Sequence, residues 1–238
     1  MSGPQLAFGL VVYAIDCTLN GVLGFGGGLF AVPILALIHP DFVPGPVLMV
    51  NPLLSGLLSM RERGSVDRHG LQWALTGRIP GVLLGAVALT VVVEERLGVL
   101  FGVLLLASVA LKASGVHAER TPRTLMAAGG LSGFMATTVA VGGPPIALAF
   151  HDLPGPVLRA TLSVYFLAGT TISLIVLALA GQFGISDLVV AAWLVLPVMV
   201  GVALSGPLRG PLDRGWLALA VYILSSAAAV VLLIRSLA

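Results

Sequence analysis

Two glycine-rich breaks interrupt long apolar stretches of the chain, and their backbone could bind an anion. The first reads GFGGGLFAVP (24–33) and the second VGGPP (141–145). Where a helix restarts after such a break, its first N–H groups are unpaired and carry partial positive charge, so they can hold an anion without a buried countercharge. We therefore expect a binding site there, although glycines in membrane helices also serve close packing. The predicted site residues are Gly26, Gly27, Gly28, Gly142 and Gly143, with Thr137 and Thr138 as nearby hydroxyl donors.

Three charged residues lie inside or beside apolar runs, where a charge is costly and indicates function. Arg78 lies about two turns into its predicted helix, so its guanidinium either attracts an anion at depth or snorkels to the membrane surface. Asp16, with Tyr13 and Asn20 on the same helix face, either takes up a proton for coupling or lies near the outer mouth. Arg159 begins a helix beside the second break and could attract anions at the inner mouth.

Polar side chains recur at i, i+4 spacing on two further predicted helices, which places them on one face of each helix. With a shift of 110 residues along the sequence, the two faces match position by position. Such faces predict either the lining of a shared cavity or hydrogen bonds between packed helices. The faces consist of Asn51, Ser55 and Ser59 in the first helix, and of Thr161, Tyr165, Gly169 and Ser173 in the second.

The composition indicates that the chain is an integral membrane protein. Its 238 residues are 58% hydrophobic and 9% charged, with a mean hydropathy of +1.09. Several apolar runs reach the roughly 20 residues that a helix needs to cross a hydrocarbon core of about 30 Å. The basic residues are too scattered for a nucleic-acid partner, and the single cysteine, Cys17, excludes an internal disulfide and a multi-cysteine metal site. We predict a multi-pass membrane protein, without a cofactor, whose partners are the lipid bilayer and a small anion.

A repeat of about 110 residues divides the chain into two halves, 1–116 and 117–238. GVLGF (21–25) matches GLSGF (130–134), and VPGPVL (43–48) matches LPGPVL (153–158). The arm after each break is too short to span the membrane, since Gly26–Ile38 covers only about 20 Å as a helix. Each half is therefore predicted to be a re-entrant helical hairpin followed by three transmembrane helices. The predicted ranges are 5–38, 45–60, 71–93 and 97–115 in the first half, and 124–150, 155–180, 185–206 and 213–235 in the second.

The distribution of lysine and arginine favours an inverted repeat. With three full crossings in each half, the second half lies upside down relative to the first. The basic residues other than Arg78, which is left inside a helix, divide nine to two between the two sides. If each broken segment crossed once, the halves would be parallel and the division would be seven to four. Basic residues concentrate on the cytoplasmic side, so the inverted arrangement is predicted. The second break is about six residues longer than the first, which argues against strict equivalence of the two. The nine cytoplasmic residues are Arg61, Arg63, Arg68, Lys112, Arg120, Arg123, Arg159, Arg209 and Arg214, and the two others are Arg96 and Arg235.

The two broken segments together resemble a known family of membrane proteins. GFGGGLFAVPIL (24–35) and GFMATTVAVGGPPIALAF (133–150), each opening one half, are similar to the TauE/SafE sulfite exporter family, also called the TSUP family. The resemblance covers essentially the whole chain and is most specific at GGPP (142–145) and LRAT (158–161). It implies a secondary transporter that exports sulfite, an organosulfonate or another small organic anion across a bacterial plasma membrane.

Other functional classes have weaker support in the sequence. GLSG (130–133) matches the serine motif of intramembrane rhomboid proteases, but all four histidines fall in predicted loops, where they could not activate that serine. The glycines lack the Gly-Lys-Ser/Thr ending of a phosphate-binding loop, which excludes ATP-driven transport by this chain. We therefore expect that the protein is not an enzyme. An anion channel, an uptake permease for a related sulfur compound and a non-transporting membrane scaffold stay as alternatives, and homo-oligomer formation is left open.

Overall fold

The protein is an all-α membrane protein, as the sequence predicts. A computed structural model describes residues 1–24, 28–62, 66–91, 119–212 and 216–237, with isolated positions between 99 and 110. The described residues contain no β-strand, and the predicted helix 97–115 lies largely outside them. The helices are α1 Gly3–Leu23, α2 Ala31–Ile38, α3 Gly45–Arg61, α4 Arg68–Val91, α5 Pro122–Val139, α6 Gly143–Ala149, α7 Gly155–Leu179, α8 Ile185–Leu212 and α9 Trp216–Leu237.

Most of the long helices match the predicted membrane-spanning segments. Among the described residues, five segments are long and apolar enough to cross a membrane. Their outward faces carry large apolar side chains that are exposed in the isolated chain, such as Phe8 on α1, Leu84 on α4 and Trp193 on α8. These faces suit contact with lipid, because there is no water in the hydrocarbon core for polar groups to meet. The five segments are Gly3–Leu23, Pro40–Arg61, Arg68–Val91, Gly155–Leu179 and Ile185–Leu208.

The first broken segment leaves α1 at a left-handed residue and turns back. Gly24 ends α1 with φ 78°, a conformation that favours glycine because it has no Cβ. The short helix α2 then returns to the level at which α1 began, since the Gln5 side-chain amide donates to the carbonyl of Ile38 at 3.3 Å. The two ends of this segment therefore lie together. One boundary differs from the prediction, because α2 begins at Ala31 and not at the glycine run.

The second broken segment has the same form. Helix α5 ends at Ala140, whose φ of 56° is also left-handed, and α6 runs back. Arg120 Nε, just before α5, is 3.2 Å from Asp152 Oδ2, just after α6. The extra residues of this half extend α5 by about six positions beyond Gly133, the residue matched to Gly24 in the sequence. The insertion therefore continues a helix and leaves the turn itself similar to the first.

Each broken helix packs along a spanning helix of the other half. Among the described helix pairs, α4 with α5 and α1 with α8 make the most extensive contacts, and both pairs are parallel. This reciprocal packing is the arrangement that an inverted repeat predicts. Glycines allow the close approach that such packing needs. The positions that meet are Cys17 with Gly201 and Gly21 with Ser205 for α1 and α8, and Gly77 with Met126 and Gly85 with Phe134 for α4 and α5.

The inverted arrangement predicts on which side of the membrane two exposed loops lie. We expect a cysteine replacing His151 to react with a membrane-impermeant thiol reagent only from the cytoplasmic side, and one replacing Gly184 only from outside. Both positions are exposed, and the native Cys17 is fully buried, so its background labelling should be low. Labelling of intact cells and inverted vesicles gives the measurement. The parallel arrangement reverses both positions, so reversed labelling would contradict the hairpins.

Candidate functional site

The two breaks meet in the interior of the protein. Gly28 has a φ of 82°, and a Cβ built on it would lie 2.6 Å from the carbonyl oxygen of Ala140 and 3.4 Å from a methyl group of Val141. Gly28 therefore lets the first break touch the backbone of the second. The structure thus places these residues of the two breaks in contact. Gly26 and Gly27 lie outside the described residues.

Asp16 holds the first break in place. Its Oδ2 accepts a hydrogen bond from the N–H of Gly28 at 3.0 Å, and its Oδ1 accepts one from the N–H of Ala31 at 3.2 Å. The side chain is 1% exposed and lies about 20 Å along α1 from Gly3, so it is not at an outer mouth. The carboxylate therefore occupies the position at the start of α2 that the sequence analysis assigned to an external anion. Its predicted part in proton coupling stays a prediction.

Arg78 is fully buried at mid-depth in α4. It lies about 15 Å along the helix axis from Arg68, and its exposed fraction is 0%. The neighbouring residue, Ile79, is 49% exposed on the outward face of α4, so Arg78 faces the protein interior. The guanidinium does not reach the surface, which rules out the snorkelling alternative in this structure. Among the described residues, Asp16 and Arg78 are the buried charged side chains.

The guanidinium of Arg78 is incompletely bonded. Its Nη1 donates a long hydrogen bond of 3.4 Å to the hydroxyl of Ser132 on α5. Ser132 in turn donates to the carbonyl of Gly142 at 2.6 Å, which links Arg78 to the second break. The Nε and Nη2 atoms are buried and have no hydrogen-bond partner among the described residues. A buried cation with two unused donors is a favourable position for an anion.

Helix α7 covers one face of this guanidinium. The Cζ atom of Arg78 lies 4.9 Å from the centre of the Tyr165 ring, a cation–π contact. One turn further along α7, a Cβ built on Gly169 would fall on Nε, Cζ and Cδ of Arg78 at similar distances. Because these three distances are similar, Gly169 lies above the plane of the guanidinium and not beside its edge. The Tyr165 hydroxyl donates to the carbonyl of Gly129 at 3.4 Å.

The predicted hydroxyl donors are buried and bonded within the protein. Thr137 Oγ1 is 3.0 Å from Ser173 Oγ, which joins α5 to α7. Thr138 donates to the carbonyl of Phe134 in its own helix at 2.9 Å. Thr161 Oγ1 accepts from the N–H of Asp67 at 3.0 Å. These hydroxyls therefore already serve contacts within and between helices.

The remaining predicted residues fall in different surroundings. Arg159 lies at an end of the molecule, where its Nε is 3.7 Å from Glu62 Oε2 and its side chain packs against Gly24. Ser55 is buried on α3, whereas Asn51 is partly exposed. Gly143 is buried as the first residue of α6. The structure thus brings Tyr165 and Gly142 into the surroundings of Arg78 and places Arg159 in a separate ion pair.

Sequence reasoning missed the two residues that position Arg78. Ser132 was considered only as a protease-like serine, and Gly169 only as a gap in a polar helix face. The repeat holds a signal for Ser132, because a shift of 116 residues, which aligns the ends of α1 and α5, matches Ser132 with Asp16. Both side chains then lie at equivalent points and bond the returning backbone. The shift of about 110 residues that fits the other motifs hides this match.

Comparison with known proteins agrees with this architecture. The family model for sulfite exporter TauE/SafE matches residues 8–232, nearly the whole chain. No curated protein and no solved structure matches the chain. Members of the family are transporters of sulfur-related anions and not enzymes, which fits a multi-pass helical protein with a buried, partly unbonded arginine. On the extent of that match, the chain belongs to the sulfite exporter TauE/SafE family.

Proposed function

We propose that this protein is a secondary carrier that exports a small anion, sulfite or an organosulfonate, across the bacterial plasma membrane, and that the anion binds beside Arg78. The observation that carries the proposal is the burial of this guanidinium with Nε and Nη2 unbonded. The family membership supports a sulfur-related anion as substrate.

The electrostatics of the two buried charges favour an anion at Arg78 and not at Asp16. Asp16 accepts two backbone N–H groups, so its negative charge is solvated by the protein. Among the described residues, Arg78 makes only one long hydrogen bond, to the neutral hydroxyl of Ser132, and a cation–π contact with the Tyr165 ring. A cation inside a membrane protein is costly unless a counterion neutralises it. A bound anion would supply that counterion.

The packing of the two breaks suits alternating access. The site lies between α4 and α5 on one side and α7 on the other, at the point where the second break turns back. In the inverted repeat that we propose, each re-entrant hairpin enters from an opposite side and packs against the other half. A movement of one half against the other would then open the Arg78 site first to one side and then to the other.

Anion flux through purified protein in vesicles tests the proposal. We expect saturable transport of sulfite or of a sulfonate, and we expect Arg78→Gln to lower it at least about tenfold, because loss of one partner of a buried charge pair typically costs 2 kcal/mol or more. Arg123→Gln is the matched control, since Arg123 is exposed in the first turn of α5.

The outcomes separate the alternatives. Unchanged flux in Arg78→Gln would contradict the binding role of Arg78. Ohmic single-channel currents would indicate a channel, net uptake in cells would indicate a permease, and the absence of flux for every anion of the panel would indicate a scaffold. Each of these three results would contradict export by a carrier.

A further inference from the structure

We propose that Arg78 recognises its anion through one edge of the guanidinium, with Nε and Nη2 donating to two oxygens of the same oxyanion. This inference rests on the proposed function and names the ligand class of the same site: carboxylate-like, sulfite-like or sulfonate anions, in preference to halides.

The unused donors lie on one edge of the group. In an arginine side chain, Nη1 is on the same side of the Cζ–Nε bond as Cδ, and Nη2 is on the opposite side, next to the Nε–H. Nη1 donates its hydrogen bond to the Ser132 hydroxyl. The two nitrogens without a partner among the described residues, Nε and Nη2, therefore present two parallel N–H groups.

Helix α7 covers one face of the group. Gly169 lies over Nε, Cζ and Cδ, and the Tyr165 ring packs 4.9 Å from Cζ. An anion therefore cannot approach from the α7 side. Ser132 at the Nη1 end and α7 on one face restrict the orientation of the guanidinium before any ligand binds, which lowers the entropy lost on binding.

Two parallel N–H groups suit an anion with two oxygens on one centre. Arginine and a carboxylate or phosphate form such paired hydrogen bonds, which add directional specificity to the attraction between charges. A halide offers a single spherical acceptor, so it gains the charge attraction and little from the second donor. Lysine would provide the charge without the fork.

The test is equilibrium binding to purified, full-length protein in detergent, with methanesulfonate and sulfite as oxyanions and bromide as the halide. For the parent protein we expect affinity for methanesulfonate at least about tenfold higher than for bromide, the equivalent of about 1.4 kcal/mol. In Arg78→Lys we expect bromide affinity to stay within about threefold and methanesulfonate affinity to fall about tenfold or more, because one charge-assisted bond of the pair is lost. In Arg78→Gln both affinities should fall. Arg123→Lys, an exposed arginine, should behave as the parent.

Several results would overturn the inference. Equal affinity of the parent for methanesulfonate and bromide would do so without any variant, so the test holds even if Arg78→Lys does not fold. An unchanged oxyanion preference in a folded Arg78→Lys would do so as well. Flux without such a preference would contradict paired hydrogen bonding by Nε and Nη2 but would agree with the proposed carrier. A clear preference without flux would contradict the carrier but would agree with the paired hydrogen bonding. Sulfite bound in preference to methanesulfonate, or the reverse, distinguishes the free inorganic anion from an organic sulfonate.

Discussion

Gly169→Ala should lower anion affinity by at least about tenfold while leaving the charge of Arg78 in place. The added methyl group would fall on Nε, Cζ and Cδ of Arg78. The far end of an arginine is flexible, so the guanidinium, and not the backbone, should move. It would then leave its contacts with Ser132 and Tyr165, and its N–H groups would no longer be aimed at the site. A displacement of about 1 Å is enough to cost a site most of its effect.

The measurement is methanesulfonate affinity together with the melting temperature of the purified variant. Gly56→Ala is the matched control, since it also adds a methyl group within a spanning helix, but there the nearest atom would be the Leu167 Cδ1 at an ordinary 3.8 Å. We expect the control to bind as the parent does. A Gly169→Ala variant with parental affinity would mean that the position of the Arg78 guanidinium against α7 is unimportant for binding.

Much of the fold could be predicted because it follows from local sequence. A run of about 20 apolar residues has the length of a membrane helix, and a cluster of glycines next to proline indicates where one is interrupted. The same local logic identified Arg78, since a charge surrounded by apolar residues is visible without a structure. The motifs at the breaks also carried the family resemblance, which the match over residues 8–232 confirms.

The contacts at the site could not be predicted, because they depend on which helices pack together. Nothing in the sequence near Arg78 indicates that α5 supplies Ser132 and α7 supplies Gly169. Asp16 was identified as a buried acid, but its partners, Gly28 and Ala31, lie beyond the turn that follows its helix. Spacing predicted the face of each helix and left the neighbour of that face undetermined.

The structure also shows why the two breaks need not share one role. Asp16 and Ser132 lie at equivalent points of α1 and α5, and each bonds the returning backbone. Asp16 is an acceptor with a negative charge, so it satisfies the N–H groups of the first break internally. Ser132 is neutral, bonds a carbonyl and also meets Arg78. The net positive charge therefore lies on the side of the second break, which is where an external anion would be attracted.

Gly28→Val distinguishes these roles most sharply. If the first break donated its N–H groups to a transported anion, valine there should abolish binding in a protein that stays folded. We expect the variant to lose stability instead, by at least about 2 kcal/mol, because valine is strained at a φ of 82° and its Cβ would lie 2.6 Å from the backbone oxygen of Ala140.

The loss should appear as a lower melting temperature and a lower yield of monodisperse protein, with transport falling in proportion to the folded fraction. Gly28→Ala should share the strain in milder form, and Gly56→Val reports the cost of valine at a helical glycine with more space around it. The protein that does fold should keep its affinity for methanesulfonate, since Arg78 and its contacts on α5 and α7 are untouched. A Gly28→Val variant that melts as the parent does and binds no anion would instead move the binding site to the first break, and it would make Asp16 a group that the substrate displaces.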